Sequence, residues 1–418
     1  MRAAIGWERN FLRNRAYVQL GLKINNSASL ERNIQKIINS VSGFHVKVSD
    51  WNLLPTKEKT PVYKLPSTLK TLDDACKFMY KNHTRPMTEA LASIGANNDT
   101  IVLNINHAAA DGMFLVSLLN YLNKHENEEV HLPEIFESVD YVFDHEIKSY
   151  NGVPAPFNTV NPNLSRIIAK DTLHLAMDNT SHHTSASSNL ANFKCYNPKT
   201  KSVHHLTENL WSSIILTISA FNGNFNTKGC GTCIDLRRFM KVQPDFRHCN
   251  IFSSITVNAE ATKDTSVGEF MKILRSDFNS KVKSGFHFGY LKQIQEGKIP
   301  PIGALPGVGA DMSSLGTFKV GGDITDAWFN IALRGDRALG SSTFTCFTVD
   351  NGINQTFHGR LRHSSFTLSD YDAQVYVDSI HHALENITDD MSCGLAIDIL
   401  SDFQKKNSKS NLNDIVMF

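Results

Sequence analysis

The segment Asn104-Ile105-Asn106-His107-Ala108-Ala109-Ala110-Asp111-Gly112 decides how this chain reads. Ile101 to Ile105 is a β-branched and aliphatic run, the signal of a short buried strand. From Met113 to His125 the apolar residues Phe114, Leu115, Leu118, Leu119 and Leu122 return at helical spacing. His107 to Gly112 is therefore a turn of small residues carrying the chain from strand to helix. A histidine ends the strand, and a carboxylate follows four residues later at the mouth of the helix. The three alanines between them remove bulk, which would let a second molecule approach the imidazole. Gly112 would let the backbone turn sharply into the helix. An imidazole with its ordinary pKa of about 6.5 is the natural general base at neutral pH. It can take a proton from an alcohol or amine that attacks a thioester.

Spacing alone does not single out His107. Among 17 histidines, about one His-x-x-x-Asp is expected by accident. His174 with Asp178 is such a copy, followed by Asn179 instead of glycine and preceded by no strong strand. The context of strand, small turn and helix separates the two. The competing reading of His107 is a hydrogen-bonded histidine at a strand end with no chemistry.

A second element is Asp235-Leu236-Arg237-Arg238-Phe239, at the end of a strand through Cys233 to Leu236. A buried carboxylate at Asp111 needs a cation, because an isolated buried charge is costly. Guanidinium pairs bidentately with carboxylate, so Arg237 is the expected partner. The alternative leaves both arginines on the surface.

Working outward, Tyr17 to Ile24 reads as a strand. Ser29 reads as the N-cap of a helix through Ile34, Ile37, Ile38 and Val41, ended by Gly43. From Asn151 to Asn189 the character changes: Pro154, Pro156 and Pro162 come early, and Asn179 to Asn189 is almost all Ser, Thr, His and Asn. This reads as a crossover linker. Beyond it, Thr207 is read as capping a helix from Glu208 to Phe221, Ile251 to Val257 as a strand, and Val267 to Val282 as a helix. Phe344 to Val349 and Asn354 to Leu361 read as strands joined at Asn351-Gly352, a hairpin signal. Ser369 to Asn386 reads as the last helix. The expectation is a mixed α/β protein with an N-terminal domain over 1–160, a linker over 161–190 and a C-terminal domain over 191–418. A length of 418 residues suits two such domains.

Composition narrows the function classes. Hydrophobic residues make up 41% and charged residues 20%, the balance of a globular chain. Lys+Arg number 42 against 41 Asp+Glu, which argues against nucleic acid as a partner. No run approaches the length of a transmembrane helix, and Met1 to Arg15 lacks the apolar core of a signal peptide. The N-terminal arginines could make at most weak peripheral membrane contact. Seven scattered cysteines are too few for a disulfide scaffold, so a reducing, cytoplasmic location is expected. Cys230, Cys233, His248 and Cys249 have the ligand types of a zinc site. Adjacent His248 and Cys249 suit one ion poorly, and buried free cysteine is the preferred reading; no metal is expected. Gly303, Gly307 and Gly309 with Pro300, Pro301 and Pro306 lack the lysine of a P-loop and read as a loop. The histidine pairs 182–183, 204–205 and 381–382 read as surface residues.

His107-x-x-x-Asp111-Gly112 followed about 125 residues later by Asp235-Leu236-Arg237 resembles the coenzyme A-dependent acyltransferase superfamily, which includes chloramphenicol acetyltransferase and peptide-synthetase condensation domains. Ile5-Gly6-Trp7-Glu8-Arg9-Asn10-Phe11-Leu12 looks like the opening of the fungal alcohol acetyltransferase family. Asp311-Met312-Ser313-Ser314-Leu315-Gly316 is similar to a Ser-Asn-x-Gly loop in the second half of those enzymes, with Ser314 at the asparagine. The resemblance implies two chloramphenicol acetyltransferase-like domains in a pseudo-dimer, each a mixed sheet with helices on one side, and a tunnel at their interface. It implies His107 as general base, with Asp111 turned away and paired with Arg237. It also implies acetyl-CoA or another acyl-CoA as co-substrate, direct acyl transfer to a hydrophobic alcohol, and a monomer that builds the whole site itself. Ser313, Ser314, Gly316 or a backbone N–H would supply oxyanion or loop contacts. Asn106 stands where condensation domains carry a second histidine, which argues against peptide-bond synthesis on carrier proteins. An amine acceptor such as a sphingoid base is the nearest alternative. A non-catalytic binding protein on the same scaffold is the second, and the intact His107/Asp111/Arg237 set speaks against it.

Overall fold

Strand Thr100–Asn106 is the spine of the first half in the computed structural model, which describes residues 1–124, 130–158, 160–168, 181–298, 307–333, 342–365 and 367–407. Ile101, Val102, Leu103 and Ile105 are all fully buried. Each contributes about 1.5–3 kcal/mol by leaving water. That anchorage lets the same strand carry buried Asn104, whose Nδ2 lies within reach of the Thr84 and Ser93 hydroxyls, and buried Asn106, whose Oδ1 accepts the Ala108 N–H.

The principal strands of the first half are β1 (Tyr17–Ile24), β2 (Val62–Lys64), β3 (Ala92–Ala96) and β4 (Thr100–Asn106). Those of the second half are β5 (His182–Asn189), β6 (Gly229–Asp235), β7 (Phe252–Asn258), β8 (Asp311–Lys319), β9 (Ile324–Ala332), β10 (Thr343–Asp350) and β11 (Gln355–His363). The helices are α1 (Gly6–Arg13), α2 (Ser27–Ser40), α3 (Leu72–His83), α4 (Gly112–Leu122), α5 (Leu206–Asn222), α6 (Val267–Lys283), α7 (Phe286–Gln295), α8 (Asp370–Asn386) and α9 (Cys393–Lys406). One mixed sheet runs in the order β9-β1-β4-β3-β2 and the other in the order β5-β11-β10-β8-β6-β7. Strand β8 lies parallel to both β10 and β6, and the other contacts of that sheet are antiparallel.

Several sequence expectations need correction. The polar stretch read as the end of a linker is strand β5, paired with β11 from His182–His363 to Asn189–Thr356. Its Ser and Thr residues hid it because it is an edge strand, where one polar face costs little. Residues 311–316, likened to a loop, belong to strand β8 (Asp311–Lys319), which lies between two parallel neighbours. β9 crosses to the first sheet and pairs along β1 from Ile324–Ile24 to Ala332–Tyr17. The first sheet thus takes a strand from the far side of the linker. Helix α2 is capped by Asn26, whose Oδ1 accepts the Ala28 N–H at 2.9 Å, not by Ser29. Helix α5 starts after a left-handed His205, not at a Thr207 cap. The chain also continues past α8 into α9. His381 is buried under the second sheet and hydrogen-bonded to Ser188. The hairpin at Asn351-Gly352 is present, with Gly352 at a φ of 81°. His174, Asp178, His125 and the Pro300–Pro306 part of the glycine cluster lie outside the described residues.

Two large cores form. One surrounds α5, with Trp211 fully buried, between α6, α8 and the second sheet. The other lies under the first sheet and also takes in Leu315, Phe318 and Phe347 from β8 and β10. The two sheets therefore share packing at a seam, and the segment His107–Gly112 lies on it.

Candidate active site

His107 is fixed at four points. Asn106 Oδ1 accepts the Ala108 N–H at 3.0 Å and closes a single 3-10 turn over His107–Ala109. The His107 N–H donates to the Ala16 carbonyl at 2.8 Å, and Asn250 Nδ2 donates to the His107 carbonyl at 2.6 Å. The ring Nδ1 lies 2.8 Å from the Ala110 carbonyl. A carbonyl only accepts, so Nδ1 carries the proton and the neutral ring presents its lone pair at Nε2. Nε2 has no hydrogen bond with any described residue, and the ring lines a cavity between the two sheets. Burial lowers the imidazole pKa below its ordinary value; Asp111 opposes that shift and Arg362 adds to it. The ring is neutral at pH 7 and able to accept a proton.

Asp111 is occupied elsewhere. Its Oδ1 accepts the Phe114 N–H at 2.8 Å, capping α4, and Arg237 Nη2 at 3.0 Å. Its Oδ2 accepts the Ile251 N–H at 2.7 Å and Arg237 Nη1 at 2.9 Å. Four donors fill the acceptor capacity of this carboxylate. Arg237 also donates to Asp235 Oδ1 at 3.0 Å and to the carbonyls of His248 and Cys249. Burial alone would lower the guanidinium pKa, but Asp111 and Asp235 hold it above the ordinary value. Burial raises the Asp235 pKa while Arg237 opposes it. The pair expected from sequence is present. It joins the His107 turn and α4 to the end of β6.

Two local readings change. Ala108, Ala109 and Ala110 are fully buried in the core under the first sheet and do not line the cavity. They are small because the turn is packed from behind, not because a ligand passes them. Gly112 is needed for space, not for its backbone angle. A Cβ there would lie 2.2 Å from Leu315 Cδ2 on β8. Ser313, Ser314 and Leu315 of β8 line the cavity. Gly316 does not; it sits exposed at a φ of 73° where the β8–β10 register shifts between Ser314 and Thr317.

The cavity has a volume of about 320 Å³. One wall is aromatic, with Trp7 and Phe11 from α1, Phe252 from β7 and Tyr290 from α7. The other is polar. Asp311 at the start of β8 accepts from Asn158 Nδ2 at 2.8 Å and from Thr343 Oγ1 at 3.2 Å, and Arg362 Nη2 donates to the same threonine hydroxyl. Burial pushes the Asp311 carboxyl up to about 6. Gly231 makes room for this group, since a Cβ there would meet Asn158 Nδ2 at 2.5 Å and Asp311 Oδ1 at 2.7 Å. Sequence reasoning gave none of these residues a place in the site. Asp311 was visible only as the start of a similar segment, and Phe252, Tyr290 and Arg362 carry no local signal. One chain supplies both walls.

Helix α1 is anchored by an arrangement that sequence did not show. Gly6 has a φ of 47°, the Trp7 N–H donates to Asp140 Oδ2 at 2.9 Å, and Glu8 forms a bidentate pair with Arg2 at 2.6 and 2.7 Å. A Cβ on Gly6 would lie 2.0 Å from Asp140 Oδ1. Gly6→Ala is therefore expected to lower stability by about 1–3 kcal/mol through overpacking in a left-handed conformation. Urea denaturation measures this, and an unchanged midpoint would contradict the tight fit.

Among the described residues, no three His, Cys, Asp or Glu side chains converge as metal ligands. Cys230 and Cys249 belong to different cores. No helix among these residues is long and apolar enough to cross a membrane. No family model and no curated protein matches the chain. Solved structures do. Polyketide synthase associated protein 5 from Mycobacterium tuberculosis superposes with a TM-score of 0.64 at 13% identity, over 90% of this chain and 95% of that one. The starter condensation domain of rhizomide synthetase, solved with C8-CoA and Leu-SNAC, gives 0.63 at 10% identity, over 94% and 96%. The epimerization domain from the third module of tyrocidine synthetase B gives 0.61 at 12% identity, over 97% and 98%. At these identities the likeness establishes the fold. The chain is a mixed α/β, condensation-domain-like pseudo-dimer along essentially its whole length.

Proposed function

We propose that this protein is an acyl-CoA-dependent O-acyltransferase that moves an acetyl group from acetyl-CoA to a hydrophobic alcohol. The observation that carries the reading is the state of His107: Nδ1 tied to a carbonyl, Nε2 without a hydrogen-bond partner among the described residues, and the ring on a cavity between two sheets. The alcohol hydroxyl gives its proton to Nε2 as its oxygen attacks the thioester carbonyl. The tetrahedral intermediate collapses, the C–S bond breaks, and the leaving thiolate takes the proton back from Nε2. The products are the ester and free coenzyme A, with no acyl-enzyme. Ser313 and Ser314 are the side-chain candidates for donors to the oxyanion, and one such donor can be worth about 3–4 kcal/mol. The aromatic wall supports an apolar acceptor. A solved relative of the same fold binds an acyl-CoA, which supports the donor. Asp111, Gly112, Asp235 and Arg237 hold the geometry.

The test is release of free thiol from acetyl-CoA on addition of a panel of alcohols and amines. Turnover with apolar alcohols is expected. Turnover with amines alone would assign N-acylation, and none with either would leave a binding protein. The acid limb of kcat/KM gives a second check. A protonated His107 cannot take a proton, and burial lowers its pKa, so the base persists to a pH below 6.5. Activity is expected to fall as pH drops, with a midpoint below 6.5; a midpoint above that value would contradict the buried base.

A further inference from the structure

We propose that Trp7 and Phe11 of α1 are positioning residues that set the plane of the His107 imidazole, so that the N-terminal helix is part of the catalytic apparatus. The inference rests on the reading of His107 as general base. Trp7 and Phe11 are four residues apart on one helix face, where side chains meet. Their rings and the imidazole form one column. Phe11 lies over His107 at 4.1 Å with planes 8° apart, and Trp7 lies over Phe11 at 4.8 Å and 7°. Phe252 borders the column, at 5.4 Å from His107 and 5.7 Å from Trp7.

The hydrogen bond from Nδ1 to the Ala110 carbonyl fixes the ring at one atom only. The ring can still tilt about that contact. A phenyl face packed against the imidazole removes the tilt and fixes the direction of the Nε2 lone pair. Misplacing a reacting group by about 1 Å can cost on the order of 10²-fold in rate. The helix itself is held in place by Asp140 and by the Arg2–Glu8 pair. A further observation supports a role for the column. The indole Nε1 of Trp7 is buried with no hydrogen-bond partner among the described residues, an arrangement that opposes folding.

The charged and titratable groups that line the cavity with the ring are Asp111 on its own turn, Arg166 ahead of β5, Arg362 on β11, Cys233 and Asp235 on β6, Asp311 on β8 and Tyr290 on α7. None lies on α1. Changing Phe11 therefore alters the packing and solvation of the ring without removing a charge.

The experiment compares Phe11→Ala, Phe11→Leu and Phe11→Tyr in the full chain, with His107→Ala alongside. Phe11→Leu keeps apolar volume and removes the flat face. Its kcat is expected to fall about 10- to 100-fold with KM changed less than about threefold, and Phe11→Tyr is expected to restore kcat. Phe11→Ala admits water to the ring, so the acid limb of kcat/KM should move up toward the ordinary imidazole value. If Phe11→Ala does not fold, the Leu and Tyr pair decides. A Phe11→Leu protein with a lower melting temperature and unchanged kcat would overturn the inference. If His107→Ala is inactive while Phe11→Leu turns over normally, the positioning role fails and the base assignment stands. If His107→Ala remains active, the base assignment itself fails.

Discussion

His107→Ala is expected to lower kcat by about 10²–10⁴ while the protein still folds, because it removes the group proposed to take the acceptor's proton. The cavity walls come from nine principal strands and helices that do not include His107, so substrate binding and KM should change much less. Stopped or continuous assay of free thiol gives kcat, and circular dichroism with a cooperative thermal transition checks the fold. Turnover of the folded variant near that of the wild type would end the general-base reading. His107→Gln is a useful companion. Its amide can still donate toward the Ala110 carbonyl but cannot act as a base near pH 7, so it should be as inactive as the alanine variant.

The chain of residues around His107 was legible because each step answers a local physical demand. A buried aliphatic strand must end somewhere, and Ile101 to Ile105 shows where. A carboxylate at a helix mouth is a cap, and a buried one needs a cation; Asp111 and Arg237 meet both needs. The rest of the site was not legible, because its residues converge through tertiary packing. Phe11 reaches the imidazole because Gly6 and Asp140, 134 residues apart in sequence, set the angle of α1. Asp311 enters the cavity only because β8 is a strand between two parallel partners, and its Ser-Ser-Leu-Gly stretch has the composition of a loop. The same confusion hid β5. Polar alternation on an edge strand resembles a linker until its partner β11 is known. The transfer of β9 to the first sheet leaves no local trace, since either sheet would accept its apolar face.

The seam explains why the site is sensitive on both sides. His107 is held by Ala16 from the first half and by Asn250 from the second. Asn106, where a second histidine would stand in condensation domains, is used here as the cap of the turn. A substitution there is a change of turn geometry before it is a change of chemistry. Asp311 and Trp7 line one cavity, so under the proposed function an acceptor would meet both apolar and hydrogen-bonding groups there.

Asp111→Ala should be the largest stability change in the site. It removes the carboxylate that meets both terminal guanidinium nitrogens, Nη1 and Nη2, of Arg237, and the arginine is about nine-tenths buried. Breaking a buried pair from one side costs about 3–5 kcal/mol, because the remaining charge stays out of water. The lost cap on α4 contributes about 1 kcal/mol on its own. Asp111→Ser separates the two effects. A serine can still accept the Phe114 N–H but cannot hold Arg237, so its loss should be smaller than that of the alanine variant by roughly the cap alone. Combining Asp111→Ala with Arg237→Leu should recover part of the stability, since the buried guanidinium that has lost its principal partner is then gone, while Asp235, which also loses Arg237, is about one-third exposed. Activity should fall in all three, because the backbone of the His107 turn is tied to β6 and to Ile251 through this carboxylate. Urea denaturation gives the stabilities and thiol release the rates. If Asp111→Ala melts and turns over like the wild type, the pair neither holds the seam together nor places the imidazole.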